Sequence, residues 1–346
     1  MTAAIVRPVR SGDLDALVHL AGTIRGGLTS LPPDRDVLAQ KIDESLRAFD
    51  ARVHRPGGEF YLFVLEEPDT GEIAGTAGIV ARVGGFDPFY SYEIKRETFS
   101  HEPLHLHREV EVLHLKTNHK GPSEVCSLYL RPESRRAGRG RLLSLSRFLF
   151  MAMFPERFDR VVISEMRGYI DESGRSPFWE SVGRHFFQND FSTADFLSGL
   201  GNKAFIEDLM PDYPIYVTLL PEAVQKVIGR VHPSTEPALR LLHDEGFTFA
   251  NEVDIFDAGP LLRAETRRVR TISESRSAKV DSVAESVDRS PDHLVAWGGL
   301  DFRCCLGSIE AAGEGRVAIR VDAPNRGLLK PGDEVRVCPL KSGDGQ

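Results

Sequence analysis

Cysteine is scarce in this chain, and its few copies lack the spacing of a metal site or a disulfide scaffold. They stand at positions 126, 304, 305 and 338 of 346 residues. One adjacent pair and two isolated residues do not form a zinc-binding pattern or a disulfide-rich secreted framework. We therefore expect a reducing compartment, the cytoplasm, and we predict no metal site.

Long apolar runs are missing as well. The most apolar segment, Leu142 to Phe154, is interrupted by Arg147, whereas a membrane-spanning helix needs about 20 apolar residues. The first residues lack the charged, apolar, small-residue order of a signal peptide. A formal net charge of −8 disfavours nucleic acid as a partner. We expect a soluble protein of about two domains that acts on small molecules, without nucleic-acid or membrane partners.

The segment around which the chain is organised runs from Glu124 to Phe154. Val125 to Leu130 is a short, mostly apolar run that predicts a strand, and Pro132 stops it. Apolar residues then recur at three- and four-residue spacing from Leu142 to Met153, which predicts an amphipathic helix.

An arginine- and glycine-rich loop, Arg135-Arg136-Ala137-Gly138-Arg139-Gly140, joins this strand to this helix. Its two glycines allow a tight turn, and the amides at the start of the following helix can bind an anion. The fingerprints G-x-G-x-x-G and G-x-x-x-x-G-K-[ST] are absent from the loop, which argues against a dinucleotide or P-loop site. Two interpretations remain open: a diphosphate-binding loop, or a solvated turn whose charges serve solubility.

The rest of the first 270 residues alternates strand and helix patterns. Val161 to Gly168 predicts a buried strand, parallel to the strand before the loop because a helix connects the two. Further elements are predicted as strands at 5–10, 60–66 and 72–83, and as helices starting near Leu14, Asp34, Ser176 and Glu236.

Two stretches have weaker patterns. Residues 84–122 are rich in aromatics and histidine and are interpreted as an irregular insertion, in which His105 and His107 give only a remote indication of a metal site. Residues 270–290 are polar and serine-rich, which predicts a linker. Alternating β-type residues follow, and they predict a small all-β appendage.

The strand, the R-x-x-G-x-G loop and the helix together resemble the coenzyme A signature of the GNAT acyltransferase superfamily. Longer blocks are similar to the arginine N-succinyltransferase family, which includes arginine/ornithine succinyltransferase subunits. The blocks that carry this resemblance are GGLTSLP (26–32), DPFYSY (87–92), EVCSLYL (124–130), EMRGYIDESGRSPFWESVGRHFF (165–187), DFSTADFLSGLGNKAFIEDLMPDYPIY (190–216), VIGRVHPSTEPAL (227–239) and VDIFDAGP (253–260).

The resemblance implies an α/β (α+β) fold: a GNAT-like mixed twisted sheet with flanking helices, in which the two central parallel strands splay apart. The acyltransferase domain is expected over residues 1–272, with an insertion at 84–122 and an extension at 190–260, and the linker and small all-β module over 273–346. It implies transfer of the succinyl group of succinyl-CoA to the α-amine of L-arginine in arginine catabolism. Succinyl-CoA is then a co-substrate, no cofactor is bound permanently, and a homo- or hetero-oligomer is expected.

The resemblance also assigns site residues. The proton-donating histidine of the family falls on His232, and a succinyl-CoA contact falls on Leu128, whose side chain suits the core and whose backbone N–H suits an oxyanion. The diphosphate falls on the loop Arg135, Arg136, Ala137, Gly138, Arg139 and Gly140.

The substrates bring further charges. For the succinyl carboxylate we consider Arg167 or the loop containing Gly27, Thr29 and Ser30, which is equally a plain connector. For the guanidinium of arginine the candidates are the carboxylates Glu165, Asp171, Glu172, Asp254 and Asp257, each of which also suits a structural ion pair. Two alternatives stay open: an acyl-CoA transferase acting on ornithine or another amine, and a non-catalytic CoA-binding subunit.

Overall fold

The structure is a computed structural model, which describes residues 3–24, 28, 30–85, 88–191, 193–194, 197, 204–210, 213–286 and 290–341. The strands in chain order are β1 (Ile5–Pro8), β2 (Phe60–Glu67), β3 (Glu72–Val80), β4 (Phe89–His101), β5 (Leu106–Asn118), β6 (Ser123–Leu130), β7 (Val161–Glu165), β8 (Ile215–Tyr216), β9 (Thr248–Val253), β10 (Pro260–Glu265), β11 (Arg276–Glu285), β12 (His293–Trp297), β13 (Arg303–Ala311), β14 (Arg316–Val321) and β15 (Glu334–Pro339).

Helices lie between these strands and beside the sheet. The first five are α1 (Leu14–Gly22), α2 (Arg35–Asp50), α3 (Arg139–Met153), α4 (Pro177–Ser181) and α5 (Gly183–Phe187). Shorter or later ones are Ala204–Leu209, Glu222–Gln225, Glu236–Asp244, Arg270–Glu274 and Ala323–Arg326. None of the helices among the described residues is long and apolar enough to cross a bilayer.

The strands form one mixed sheet in the order β12-β15-β11-β14-β13-β1-β2-β3-β6-β7-β10-β9-β4-β5-β8. Only β6–β7 and β11–β14 pair in parallel among the described strand pairs. The fold is therefore mixed α/β, and the parallel strands predicted on either side of α3 are neighbours. At the other end β12 also pairs with β13, so the last five strands close into a ring.

Helix α3 lies between the main sheet and this C-terminal ring. It contacts β3 and β6 on one side and β12, β13 and β15 on the other. Phe150 shows the result: its ring centroid lies 5.2 Å from that of Phe63 and 5.5 Å from that of Phe302. Because both sides are covered, α3 is buried beyond its apolar face, and Ser144, Ser146 and Arg147 are buried with it. The predicted amphipathic helix is present, but it has little polar surface.

The interpretation of residues 84–122 as irregular was wrong. Strands β4 and β5 form a long antiparallel hairpin whose register runs from Phe89 opposite Asn118 to His101 opposite Leu106. Its base is buried, with Tyr92 and Val112 in the core, whereas the outer half is exposed on both faces. The outer half therefore lacks the alternation of apolar and polar residues that identifies a half-buried strand.

The predicted linker at 270–290 was also wrong. A helix occupies Arg270–Glu274, and β11 follows it directly. Glu245, which is 1% exposed, accepts hydrogen bonds from Arg270 Nη2 at 2.7 Å and from the Thr271 amide at 2.7 Å. Polar residues of this stretch thus form buried hydrogen bonds to Glu245. The module that follows is β-rich as predicted, but it is not a free appendage, because β13 pairs with β1.

Candidate active site

A deep cleft opens where β6 and β7 separate. The two strands pair only at Ser123 with Val162 and at Glu124 with Ile163, after which β6 continues to Leu130 and β7 to Glu165 without further pairing. The cleft between them has a volume of about 1390 Å³. It is large enough for an extended ligand, and most of the residues predicted for the site line it.

A bulge in β6 marks the middle of the cleft. Against β3, Tyr129 pairs with Thr76 and Cys126 pairs with Gly78, so the two residues Ser127 and Leu128 stand opposite a single residue. Ser127 has a φ of 51°, the left-handed region that non-glycine residues rarely occupy. A bulge withdraws main-chain groups from the ladder and re-aims them, and bulges are frequent beside active sites. The bulge thus makes the backbone at Leu128 suited to contact a ligand.

The predicted anion-binding loop lies at one end of the cleft. Ala137 and Gly138 both have left-handed φ values, 51° and 77°, and α3 begins at the next residue. The Leu142 amide donates to the Gly138 carbonyl at 2.9 Å, which closes the first turn. Amides of a first helical turn have no carbonyl partner within their own helix, and they carry the positive end of the helix dipole. The loop therefore offers main-chain donors to an anion.

The arginines of this loop differ in what their side chains do. Arg139 is 2% exposed and forms an ion pair with Glu67 at 2.6 Å, so its guanidinium is directed into the protein. Arg135 Nε donates to the Leu130 carbonyl at 2.9 Å and fastens the loop to β6. Arg136 is exposed. The Arg139 amide also donates to the Arg136 carbonyl at 3.1 Å, so Arg139 directs neither its side chain nor its N–H to a diphosphate. Arg135 and Arg136 remain at the surface.

His232 is held at the edge of the cleft by the segment that follows β7. Its amide donates to the Arg167 carbonyl at 2.8 Å, and the preceding residue forms a β-bridge with Gly168. The ring is partly buried. His232 is not itself among the residues that line the cleft, but its neighbours Ser234 and Thr235 are. Burial, and then the positive charge of Arg167, lower the pKa of His232 from its ordinary value. The shift favours the neutral imidazole at neutral pH.

Ser234 orients the ring of His232. The Ser234 amide donates to Nδ1 at 3.1 Å, and the Ser234 Oγ lies 2.7 Å from the same nitrogen. Because Nδ1 accepts from the backbone, the hydrogen of the neutral ring resides on Nε2. Nε2 is therefore the nitrogen that can donate to a substrate.

The remaining predicted residues are only partly brought together. Ser30, Glu165, Arg167 and Asp254 line the cleft. Gly27 and Thr29 lie outside the described residues.

The candidate carboxylates for the guanidinium separate into two groups. Glu165, Asp254 and Asp257 line the cleft, whereas Asp171 and Glu172 are not among the residues that line it. Asp257 accepts from the amides of Gly168 at 2.7 Å and Gly259 at 2.8 Å, so its carboxylate holds the backbone together. One oxygen of Asp254 similarly accepts from the amides of the two residues at 256 and 257.

Sequence reasoning did not identify Arg147 as part of the site. This arginine is 2% exposed, yet it lines the cleft from α3, and its burial lowers its pKa to about 10. The available signal was a lone arginine in the most apolar segment of the chain. An arginine that remains in a core carries a specific contact or a function.

Comparison with known proteins identifies the family. Residues 4–271 match a family model described as "Arginine N-succinyltransferase beta subunit", and residues 276–339 match the C-terminal domain of the same subunit. The chain belongs to the arginine N-succinyltransferase family. The family resemblance inferred from the sequence blocks is thereby confirmed.

Members of the arginine N-succinyltransferase family resemble this chain over nearly its whole length. An arginine N-succinyltransferase of Enterobacter sp. (strain 638) is 46% identical over 303 residues, 87% of this chain and 88% of its own. An arginine N-succinyltransferase subunit beta of Pseudomonas aeruginosa is 43% identical over 98% of both chains. The solved structure of arginine/ornithine succinyltransferase subunit AI from Pseudomonas aeruginosa has a TM-score of 0.88 at 37% identity and covers 99% of this chain and 100% of its own.

Proposed function

We propose that this protein transfers the succinyl group of succinyl-CoA to the α-amine of L-arginine, giving N-succinylarginine and CoA, as a step of arginine degradation. The observation that carries the proposal is the cleft between β6 and β7, with main-chain donors at one end, a bulged strand in the middle and a histidine at its edge. Membership of the arginine N-succinyltransferase family supports the choice of substrates.

The cleft suits the three parts of an acyl-CoA. In this proposal the diphosphate binds the loop from Arg135 to Gly140, where the first-turn amides of α3 point at the anion. The pantetheine arm runs between the splayed strands, as in a GNAT-like fold. The thioester carbonyl then lies beside the bulge at Leu128, whose N–H stabilises the oxyanion that forms when the amine attacks.

The chemistry that remains is a single proton transfer. As the amine attacks the thioester carbon, the C–N bond forms and the C–S bond breaks, and one proton passes from nitrogen to sulfur. The neutral ring keeps its own hydrogen: Nε2–H of His232 donates a hydrogen bond to the departing sulfur, and the proton lost by the attacking amine ends on the thiolate. One such group supplies roughly 10² to 10⁴ in rate, and alignment of the two substrates supplies much of the rest.

Assembly and location complete the proposal. The relative in Pseudomonas aeruginosa is named a subunit, which supports an oligomer for this protein as well. The four cysteines are unpaired thiols, and Cys304, Cys305 and Cys338 are buried. Free thiols suit the reducing cytoplasm.

A second substrate is favoured by one observation. The solved relative is titled an arginine/ornithine succinyltransferase subunit. L-Ornithine has an ammonium where L-arginine has a planar guanidinium, so the two would use the carboxylates of the cleft differently. We rank arginine first because the family description names arginine.

The test is thiol release by the purified protein with succinyl-CoA or acetyl-CoA and with L-arginine or L-ornithine. We expect the highest kcat/KM for succinyl-CoA with L-arginine, and equal rates with acetyl-CoA would contradict the proposal. His232→Ala should lower kcat by roughly 10² to 10⁴. The control is His243→Ala, because His243 lies in the helix Glu236–Asp244 and its Nδ1 lies 3.0 Å from the Phe247 carbonyl oxygen, outside the residues lining the cleft. Full turnover by the His232 variant would remove the histidine from the mechanism.

A further inference from the structure

We infer that Arg147 binds the terminal carboxylate of the acyl group and thereby selects succinyl-CoA over uncharged acyl-CoAs. The inference rests on the proposed function, which it extends to the origin of acyl specificity. It stands on the burial of this side chain, its hydrogen bonds, its position along the cleft and the charges around it.

The hydrogen bonds of Arg147 go to neutral groups. Nε donates to the Ser144 carbonyl at 3.0 Å, Nη2 to Ser144 Oγ at 3.1 Å and Nη1 to the Cys126 carbonyl at 3.2 Å. A guanidinium has five N–H groups, so these three bonds leave one N–H on each terminal nitrogen. That pair is what a carboxylate engages in a bidentate contact.

A buried cation normally has an anionic partner. Within the part of the chain that the structure describes, no carboxylate lies within ion-pair distance of Arg147. Arg157 is equally buried at 4% exposure, but it donates to two backbone carbonyls and to Tyr61 OH, away from the residues that line the cleft. Only one of these two arginines therefore faces a space in which an anion can bind.

The position of Arg147 fits the far end of a succinyl group. The diphosphate loop precedes α3, and Cys126 stands two residues beyond Leu128 on the side away from that loop. Two residues of strand span at most about 7 Å, and the left-handed Ser127 between them shortens that distance. In an extended succinyl group the carboxyl carbon lies roughly 4 Å from the thioester carbon, and a hydrogen bond adds about 3 Å. A thioester beside Leu128 thus brings its carboxylate to the guanidinium that is bonded at Cys126.

The surrounding charges agree with an anionic guest. Lys41 and Glu124 line the same region of the cleft, and together with Arg147 they make up the charged groups whose fields reach Cys126. Glu44 lines the cleft as well, and Glu124 is the carboxylate whose field reaches Arg147. Among the described residues neither forms an ion pair with Arg147, so no direct contact neutralises the charge of the guanidinium. A succinyl carboxylate balances that charge, whereas an acetyl or butyryl group leaves Arg147 unpaired in a dry site.

The experiment compares succinyl-CoA with butyryl-CoA, which has the same four-carbon length and no carboxylate. In the Arg147→Met variant we expect kcat/KM for succinyl-CoA to fall roughly 30- to 1,000-fold, as for loss of one member of a buried charge pair. The value for butyryl-CoA should stay the same or rise. Arg147→Lys should fall between the wild type and the methionine variant, because lysine keeps the charge and loses the bidentate geometry.

Arg157→Met is the matched control for removing a buried arginine. It should lower the melting temperature and leave the ratio of succinyl-CoA to butyryl-CoA activity unchanged. A purely structural role of Arg147 would lower both activities together and keep that ratio, which would overturn the inference.

The wild-type protein alone provides a further test. It should prefer succinyl-CoA to butyryl-CoA by at least the factor lost in Arg147→Met, and equal kcat/KM values would overturn the inference even if the variants do not fold. Turnover of neither acyl-CoA by the wild type would instead overturn the proposed function. The two failures are therefore distinguishable.

Discussion

Substitution of Gly138 by alanine tests whether the turn before α3 binds the acyl carrier. Gly138 has a φ of 77°, and an added Cβ would lie 3.2 Å from Leu306 Cδ1. An L-residue in the left-handed region costs about 1–2 kcal/mol. At about 2.1 cal/mol/K of unfolding entropy per residue, 346 residues give about 0.7 kcal/mol per degree. The melting temperature should therefore fall by about 1.5–3 °C.

The binding effect of the same change is separable from its effect on stability. If the chain relaxes by moving the loop, the amides at the start of α3 no longer converge, and KM for succinyl-CoA should rise several-fold while kcat changes little. The control is Gly332→Ala, since Gly332 has a φ of 93° in a C-terminal turn with nothing within 4 Å of an added Cβ. Its melting temperature should fall by a similar amount without any change in KM. A KM that stays constant in Gly138→Ala would refute the assignment of the diphosphate to this loop.

Two further predictions concern charge. Arg167→Gln removes a cation that lowers the pKa of His232, so this pKa should rise toward its ordinary value. The limb of the pH profile of kcat/KM that reports the titration of His232 should therefore move to higher pH, and a limb that stays in place would contradict the electrostatic coupling. Glu245→Ala removes the partner of Arg270, which lies 2.7 Å away in a pair whose side chains are 1% and 13% exposed. Loss of one member of a buried ion pair costs about 3–5 kcal/mol. The melting temperature should therefore fall by about 4–7 °C. An unchanged melting temperature would show that the Glu245–Arg270 pair contributes little to stability.

The sequence was sufficient for features whose signal is local. The loop from Arg135 to Gly140 is defined by its own glycines, and the helix after it by its own periodicity, so both were predicted close to their observed positions. The parallel pairing of β6 and β7 followed from the helix that connects them. Family resemblance, rather than pattern, supplied His232 and Leu128 as candidates.

Other features depend on partners that are distant in the chain. The bulge at Ser127 is defined by the register of β6 against β3. The sequence does not indicate it, because the left-handed position holds a serine rather than a glycine. The role of Arg147 is non-local as well, because its guanidinium donates to the carbonyl of Cys126, which lies 21 residues earlier in the chain. The hairpin of β4 and β5 was missed for the opposite reason, since its outer half is solvated and leaves no alternation to detect.

The C-terminal ring borders the candidate site through α3, although none of its described residues lines the cleft. Its strands cover the face of α3 that would otherwise meet water. Arg147 does not depend on that cover, because its guanidinium lies on the cleft side of α3, where it donates to the Cys126 carbonyl of β6 at 3.2 Å. Its burial there matters for acyl selection, because an exposed ion pair contributes at most about 1 kcal/mol. The same ring places Leu306 beside Gly138, so it also contacts the loop that precedes α3. A module that is separate in sequence thus limits the movement of the loop to which we assign the diphosphate.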